Sequence, residues 1–112
     1  MKLCHRLLAF LMVCAMCVSL CSCGVSEADV VGTWNSEYTY DGVLINNTVT
    51  FKEDGSYREV VYRDGRYART EGGTYEIDGR KVIATSDRTK ASTTYKYRGG
   101  ELVNTGHKYV KQ

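Results

Sequence analysis

Thr48-Val49-Thr50-Phe51-Lys52, followed at once by Asp54-Gly55, decides the fold. Val49 and Phe51 alternate with Thr48, Thr50 and Lys52, so an extended chain puts the apolar pair on one side and polar residues on the other. Asp-Gly accepts the positive φ angles that a tight hairpin demands. The local unit is a half-buried strand running into a turn. Working outward, the unit recurs. Towards the N-terminus, Trp34, Tyr38 and Tyr40 share one face, opposite Thr33, Asn35, Glu37 and Thr39. Towards the C-terminus, Tyr75 and Ile77 alternate with Thr74 and Glu76, and Tyr95 and Tyr97 with Thr94, Lys96 and Arg98. Asp41-Gly42, Asp64-Gly65 and Asp78-Gly79 repeat the turn at spacings of 10 to 14 residues, and Gly99-Gly100 adds another.

This spacing predicts strands near 31–40, 45–53, 56–63, 66–77, 80–86, 92–98, 101–105 and 107–111, joined as an antiparallel meander. Gly72-Gly73 inside the fourth strand predicts a bulge or bend. Ser26-Glu27-Ala28-Asp29 fits a helix-capping pattern for one short turn; no other stretch after residue 23 sustains a helical period. Eight short strands leave unpaired edges unless the sheet closes on itself. The expected fold is therefore all-β: a small antiparallel up-and-down barrel of about eight strands. Its interior is either filled by side chains or just wide enough for one small ligand.

The chain before residue 30 reads as an address. Lys2, His5 and Arg6 precede an apolar run, Leu7 to Val18, and the small Ser22 precedes Cys23. Basic start, short apolar core and small-residue cleavage site describe a secretory signal peptide over residues 1–22. The run falls short of the ~20 apolar residues that a spanning helix needs. Leu20-Cys21-Ser22-Cys23 resembles a bacterial lipobox, which implies diacylglyceryl attachment to Cys23 and localisation in the bacterial cell envelope on the extracytoplasmic side. An ordinary secretory signal, or an uncleaved apolar N-terminus, is the alternative. Residues 23–29 read as the lipidated cysteine and a short tether, whose last six residues reach no more than about 20 Å. Residues 30–112 read as one domain.

Four of the five cysteines (Cys4, Cys14, Cys17 and Cys21) fall inside the leader, so the processed chain has no partner for Cys23 in an internal disulfide. Cys23 and His107 alone cannot furnish a structural zinc site, and no metal or cofactor is expected. Removing residues 1–22 takes away Lys2 and Arg6, which leaves 13 Lys plus Arg against 13 Asp plus Glu. A formally neutral domain is not expected to bind nucleic acid. The charges are nonetheless uneven. Residues 26–54 carry six acids against Lys52, and residues 80–98 carry six bases against Asp87.

Val30-Val31-Gly32-Thr33-Trp34, then Thr50-Phe51-Lys52-Glu53-Asp54-Gly55-Ser56-Tyr57, resembles the lipocalin-like domains of small bacterial lipoproteins. Those show a Gly-Thr-Trp first strand and a Phe-x-x-Asp-Gly-x-Tyr hairpin. Gly73-Thr74-Tyr75-Glu76-Ile77 with Lys81-Val82-Ile83 is similar to their later Gly-x-Tyr-x-Ile hairpin. The resemblance implies an up-and-down barrel in which Trp34 closes one end, and most such domains have no assigned activity.

The inventory for catalysis is thin. His107 stands alone, without a nucleophile motif, and reads as a surface residue. Asp54, Asp64 and Asp78 sit where hairpin turns want aspartate for backbone reasons. The expectation is a non-enzymatic, monomeric, lipid-anchored domain that binds a small apolar ligand or an envelope polymer. The rival is a structural or inhibitory lipoprotein acting through its outer strand face. Candidate ligand or core aromatics are Trp34, Tyr38, Phe51, Tyr75, Tyr95 and Tyr97. Arg88, Lys90, Lys96 and Arg98, interleaved with Tyr95 and Tyr97, are candidates for contact with the anionic membrane. The bland reading of that stretch is two inward tyrosines with solvated bases outside.

Overall fold

The computed structural model describes residues 24–112; the leader and Cys23 lie outside the described residues. Eight strands follow one another around a closed antiparallel barrel. They are β1 (Gly32–Tyr40), β2 (Val43–Phe51), β3 (Ser56–Arg63), β4 (Arg66–Asp78), β5 (Lys81–Ser86), β6 (Ser92–Arg98), β7 (Glu101–Asn104) and β8 (His107–Lys111). The sheet closes where Trp34 and Asn35 of β1 meet Lys111 and Val110 of β8, helped by Gln112 N–H donating to Thr33 O at 2.8 Å.

Turn chemistry sets the register. Asp41-Gly42, Asp64-Gly65, Gly99-Gly100 and Thr105-Gly106 all hold positive φ at both central residues, which matches the twist of the flanking strands. Such a two-residue loop returns the chain to pairing at once. That is why β2 starts at Val43, directly opposite Tyr40, two residues earlier than the alternation alone suggests. The β2–β3 turn uses Asp54 differently: its Oδ1 accepts from Ser56 N–H at 2.9 Å and from Ser56 Oγ–H at 2.6 Å.

Gly72 and Gly73 are not the site of a bulge. The β3–β4 ladder runs through them without interruption, Arg58 opposite Gly72 and Tyr57 opposite Gly73. The register shift lies between Val61 and Tyr62, leaving Ala68 as the extra residue on β4. The glycine at position 73 answers a different need. There β4 is paired on both sides, with β3 and with β5, and a Cβ would stand 2.0 Å from Thr85 O.

Since strands alternate in direction, the turns fall into two sets. One barrel end carries the β2–β3, β4–β5 and β6–β7 turns with the N-terminal segment, and the core gathers there. Val30, Trp34, Val49, Phe51, Val82 and Leu102 have no more than 1% of their surface exposed. Phe51 meets the edges of Tyr75 and Tyr95 at ring separations of 4.9 and 5.8 Å, and Tyr95 meets Tyr109 at 5.4 Å. Each such edge-to-face pair adds about 0.5–1.5 kcal/mol beyond area burial.

The chain before β1 seals this end. A single helical turn, α1 (Glu27–Val30), follows Ser26, whose N–H and Oγ–H both donate to Asp29 Oδ2. Val30 drops into the core, and its carbonyl accepts from the Trp34 indole N–H at 2.9 Å. Lys111 stands 5.7 Å from the Trp34 ring and donates to the carbonyls of Ala28 and Asp29. Trp34 thus plugs one end, as the resemblance implies. Residues 24–29, read as a tether, have a place on the barrel: Val25 packs against the core and its N–H donates to Gly79 O at 3.0 Å.

Candidate functional site

The other end of the barrel stays open. The β1–β2, β3–β4, β5–β6 and β7–β8 turns ring it, and inside them lies a cavity of about 500 Å³. That falls within the roughly 300–1,000 Å³ usual for small-molecule sites. Five consecutive strands supply its wall. Tyr38 and Tyr40 come from the end of β1, Ile45 and Asn47 from the start of β2, and Val61 and Arg63 from the end of β3. Ala68 and Arg69 enter from β4 and His107 from β8.

The local reasons for these placements differ. Ile45 and Asn47 continue the inward face of Val49 and Phe51, two residues at a time. Arg63 lies on the same face of β3 as Tyr57 and Val61. On β4, the extra Ala68 sets the side chains of Arg66 and Tyr67 out of step with Arg69, which faces the interior opposite Val61. His107 follows the Thr105-Gly106 turn and stacks on Tyr38 with ring centroids 3.7 Å apart and planes 14° from parallel.

Polar groups inside this half are unusually exposed to one another. Asn47 is 8% exposed; its Nδ2 donates to Tyr109 Oη at 3.2 Å, while its Oδ1 has no hydrogen-bond partner among the described residues. Turning the amide over would only move the deficit to Nδ2. Two residues deeper than Val61 on the same face of β3, Glu59 lies opposite Val49 and Glu71. Burial pushes its carboxyl above the usual range; Arg69 opposes that shift and Glu71 adds to it. Arg69 Nη1 is 3.9 Å from Glu59 and 3.7 Å from Glu71, and Arg88 forms an ion pair with the same Glu71. Burial likewise raises the Tyr95 and Tyr109 hydroxyls, with Asn47 opposing the shift at Tyr109.

The aromatics singled out from sequence do not share one place. Trp34, Phe51 and Tyr95 are core. Tyr75 and Tyr97 are half-buried beside it, Tyr75 donating its hydroxyl to Lys52 O and Tyr97 lying under Arg80. Only Tyr38 lines the cavity. The four bases are not brought together either. Arg88 and Lys90 sit in the β5–β6 turn at the open rim, whereas Arg98 ends β6 at the closed end with Lys96 two residues before it. The length of β6 separates the two pairs, and Arg88 is engaged by Glu71.

Asn47, Arg63, Arg69 and the stacking of His107 on Tyr38 are what sequence reasoning passed over. One signal was present: Asn47 is polar at an inward position of an otherwise apolar alternation. Among the described residues no three His, Cys, Asp or Glu side chains converge as a metal site.

No family model matches the chain, and no curated protein matches it by sequence. Among solved structures, the chain is similar to the Cpx pathway activator NlpE from Escherichia coli, with a TM-score of 0.56 at 15% identity. The match covers 65% of this chain and 42% of that one, so this chain spans well under two thirds of its neighbour's length. At that identity the likeness is one of fold: a small antiparallel barrel.

Proposed function

We propose that this chain is a non-enzymatic, lipid-anchored domain of the bacterial cell envelope that binds a small ligand through the open end of its barrel. The observation that carries the reading is the open cavity of about 500 Å³, walled by aromatic and aliphatic side chains with Arg63 and Arg69 beside them.

The lipid anchor rests on Leu20-Cys21-Ser22-Cys23. Val25, two residues on, is hydrogen-bonded at the closed end, which would set the membrane at that end and leave the cavity mouth facing outward. Cys23→Ala should release the protein from the membrane fraction without unfolding it; a variant that stays membrane-bound defeats the anchor. For the cavity, the test is titration with the neutral apolar fluorophore phenylnaphthylamine. Saturable uptake at one probe per chain, weakened by Tyr38→Ala, is expected. Absence of uptake removes the small-ligand reading.

One feature favours a second reading, a partner docked on the outer face. Tyr62 and Tyr67 are 39% and 62% exposed on the β3–β4 hairpin and meet edge to face at 6.1 Å. Tyrosines of this kind are common interface anchors. Substituting both with serine leaves ligand uptake intact and would abolish only such a contact.

A further inference from the structure

We infer that the cavity takes a small organic anion, its acidic group held at the mouth by Arg63 and Arg69 and its apolar body resting on Tyr38, Ile45 and Val61. This rests on the small-ligand reading above and names the class of ligand.

Charge at the mouth is unbalanced in a specific way. Among the described residues, Arg63 has no carboxylate within ion-pairing distance. Arg69 reaches Glu59 and Glu71 only at 3.9 and 3.7 Å, and Glu71 is shared with Arg88. Three guanidinium groups therefore face two carboxylates, and one positive charge is left without a partner beside the cavity. A carboxylate, phosphate or sulfonate would restore the balance, because its oxygens match the planar donor fork of arginine. A cationic ligand would meet two guanidinium groups instead.

Beside the charges the wall is apolar, Ile45 pairing across the sheet with Arg63 and Val61 with Arg69. Ile45 and Val61 are both 6% exposed, and the Tyr38 ring is held flat by the stacked His107. Deeper in the barrel Asn47 is more than nine-tenths buried, with its Nδ2 donating to Tyr109 Oη. Charge at the rim with flat apolar contact beside it selects an organic anion over a hydrocarbon or a bare inorganic ion.

The test compares two probes of nearly the same shape, phenylnaphthylamine and its sulfonated counterpart anilinonaphthalene sulfonate, on residues 24–112, which hold the eight barrel strands and the core seen among the described residues. The sulfonate should bind one per chain and about tenfold more tightly than the neutral amine, the size of one charge-assisted contact. Arg63→Gln, which breaks no ion pair among the described residues, should remove part of that preference, and Arg63→Gln with Arg69→Gln nearly all of it, with the near-ultraviolet dichroism unchanged. Equal affinity for the two probes, or a preference that survives the double substitution, overturns the anion assignment while the cavity reading stands. If neither probe binds saturably, the cavity reading falls and the anion assignment with it.

Discussion

The two ends of this barrel are built from the same strands by the same alternation, yet one is packed and the other is open. At the closed end each inward position is filled: Trp34 against Val30, Phe51 among three tyrosines, Leu102 fully buried. Four to six residues along the same strands, the inward positions become Tyr38, Asn47, Arg63 and Arg69, and packing gives way to a cavity. Stability is concentrated at one end, and unsatisfied polarity is collected at the other.

The division can be broken most severely at Trp34. Trp34→Ala removes the plug, its indole hydrogen bond to Val30 and its contact with Lys111, and should cost ~3–5 kcal/mol by urea denaturation. Tyr38→Ala, four residues on and on the same face, should cost far less; similar losses at the two positions would show that the open end is part of the core after all.

Gly73→Ala comes next. Its methyl group would need space occupied by Thr85 O, 2.0 Å away, and by Asp87 N at 2.9 Å. Both are backbone atoms, so the strands must part, and a loss of about 1–3 kcal/mol is expected. A neutral outcome in the thermal midpoint would mean that β4 and β5 separate easily there.

Alkaline pH should act through the buried tyrosines. Burial raises the hydroxyls of Tyr57, Tyr75, Tyr95 and Tyr109 above their ordinary value of 10.0. The unfolded chain therefore ionises first. The stability these groups contribute is whole below about pH 10 and is lost as pH rises beyond it. Phenolate absorbance from these four should rise together with loss of the barrel's dichroism; complete ionisation with the barrel intact would contradict their burial.

The smallest expected effect has the opposite sign. The Glu59 carboxyl is raised above 4.5 in the folded chain, chiefly by burial, so its favourable contribution exists below that pH and disappears as pH rises through the folded value. At neutral pH Glu59→Gln should therefore stabilise, by no more than about 1 kcal/mol because Arg69 already offsets part of the cost. The gain should vanish below pH 4.5. A loss at neutral pH would show that the Glu59–Arg69 pair outweighs the burial of the charge.

Much of the strand pattern is legible without coordinates because it is local. Alternation at Val49 and Phe51, and turns at Asp41-Gly42 and Asp64-Gly65, follow from the geometry of neighbouring residues, and β3, β6 and β8 begin and end where the sequence pattern places them. Even closure follows from strand number, since eight short strands have edges to hide. The bulge was misplaced because Gly72 and Gly73 look like a local break, whereas Ala68 is displaced by pairing with a distant strand and carries no local mark.

The site lay largely beyond such reading. Its members come from five strands, β1 to β4 and β8, and His107 reaches Tyr38 only when the ring closes between Asn35 and Val110. Alternation tells which side chains point inward; it is silent on which end of the interior is filled. That was decided by α1 and Lys111 sealing the Trp34 end, contacts between segments about 80 residues apart, and by the balance of Arg63, Arg69, Glu59 and Glu71, whose charges acquire meaning only at the distances the closed barrel imposes.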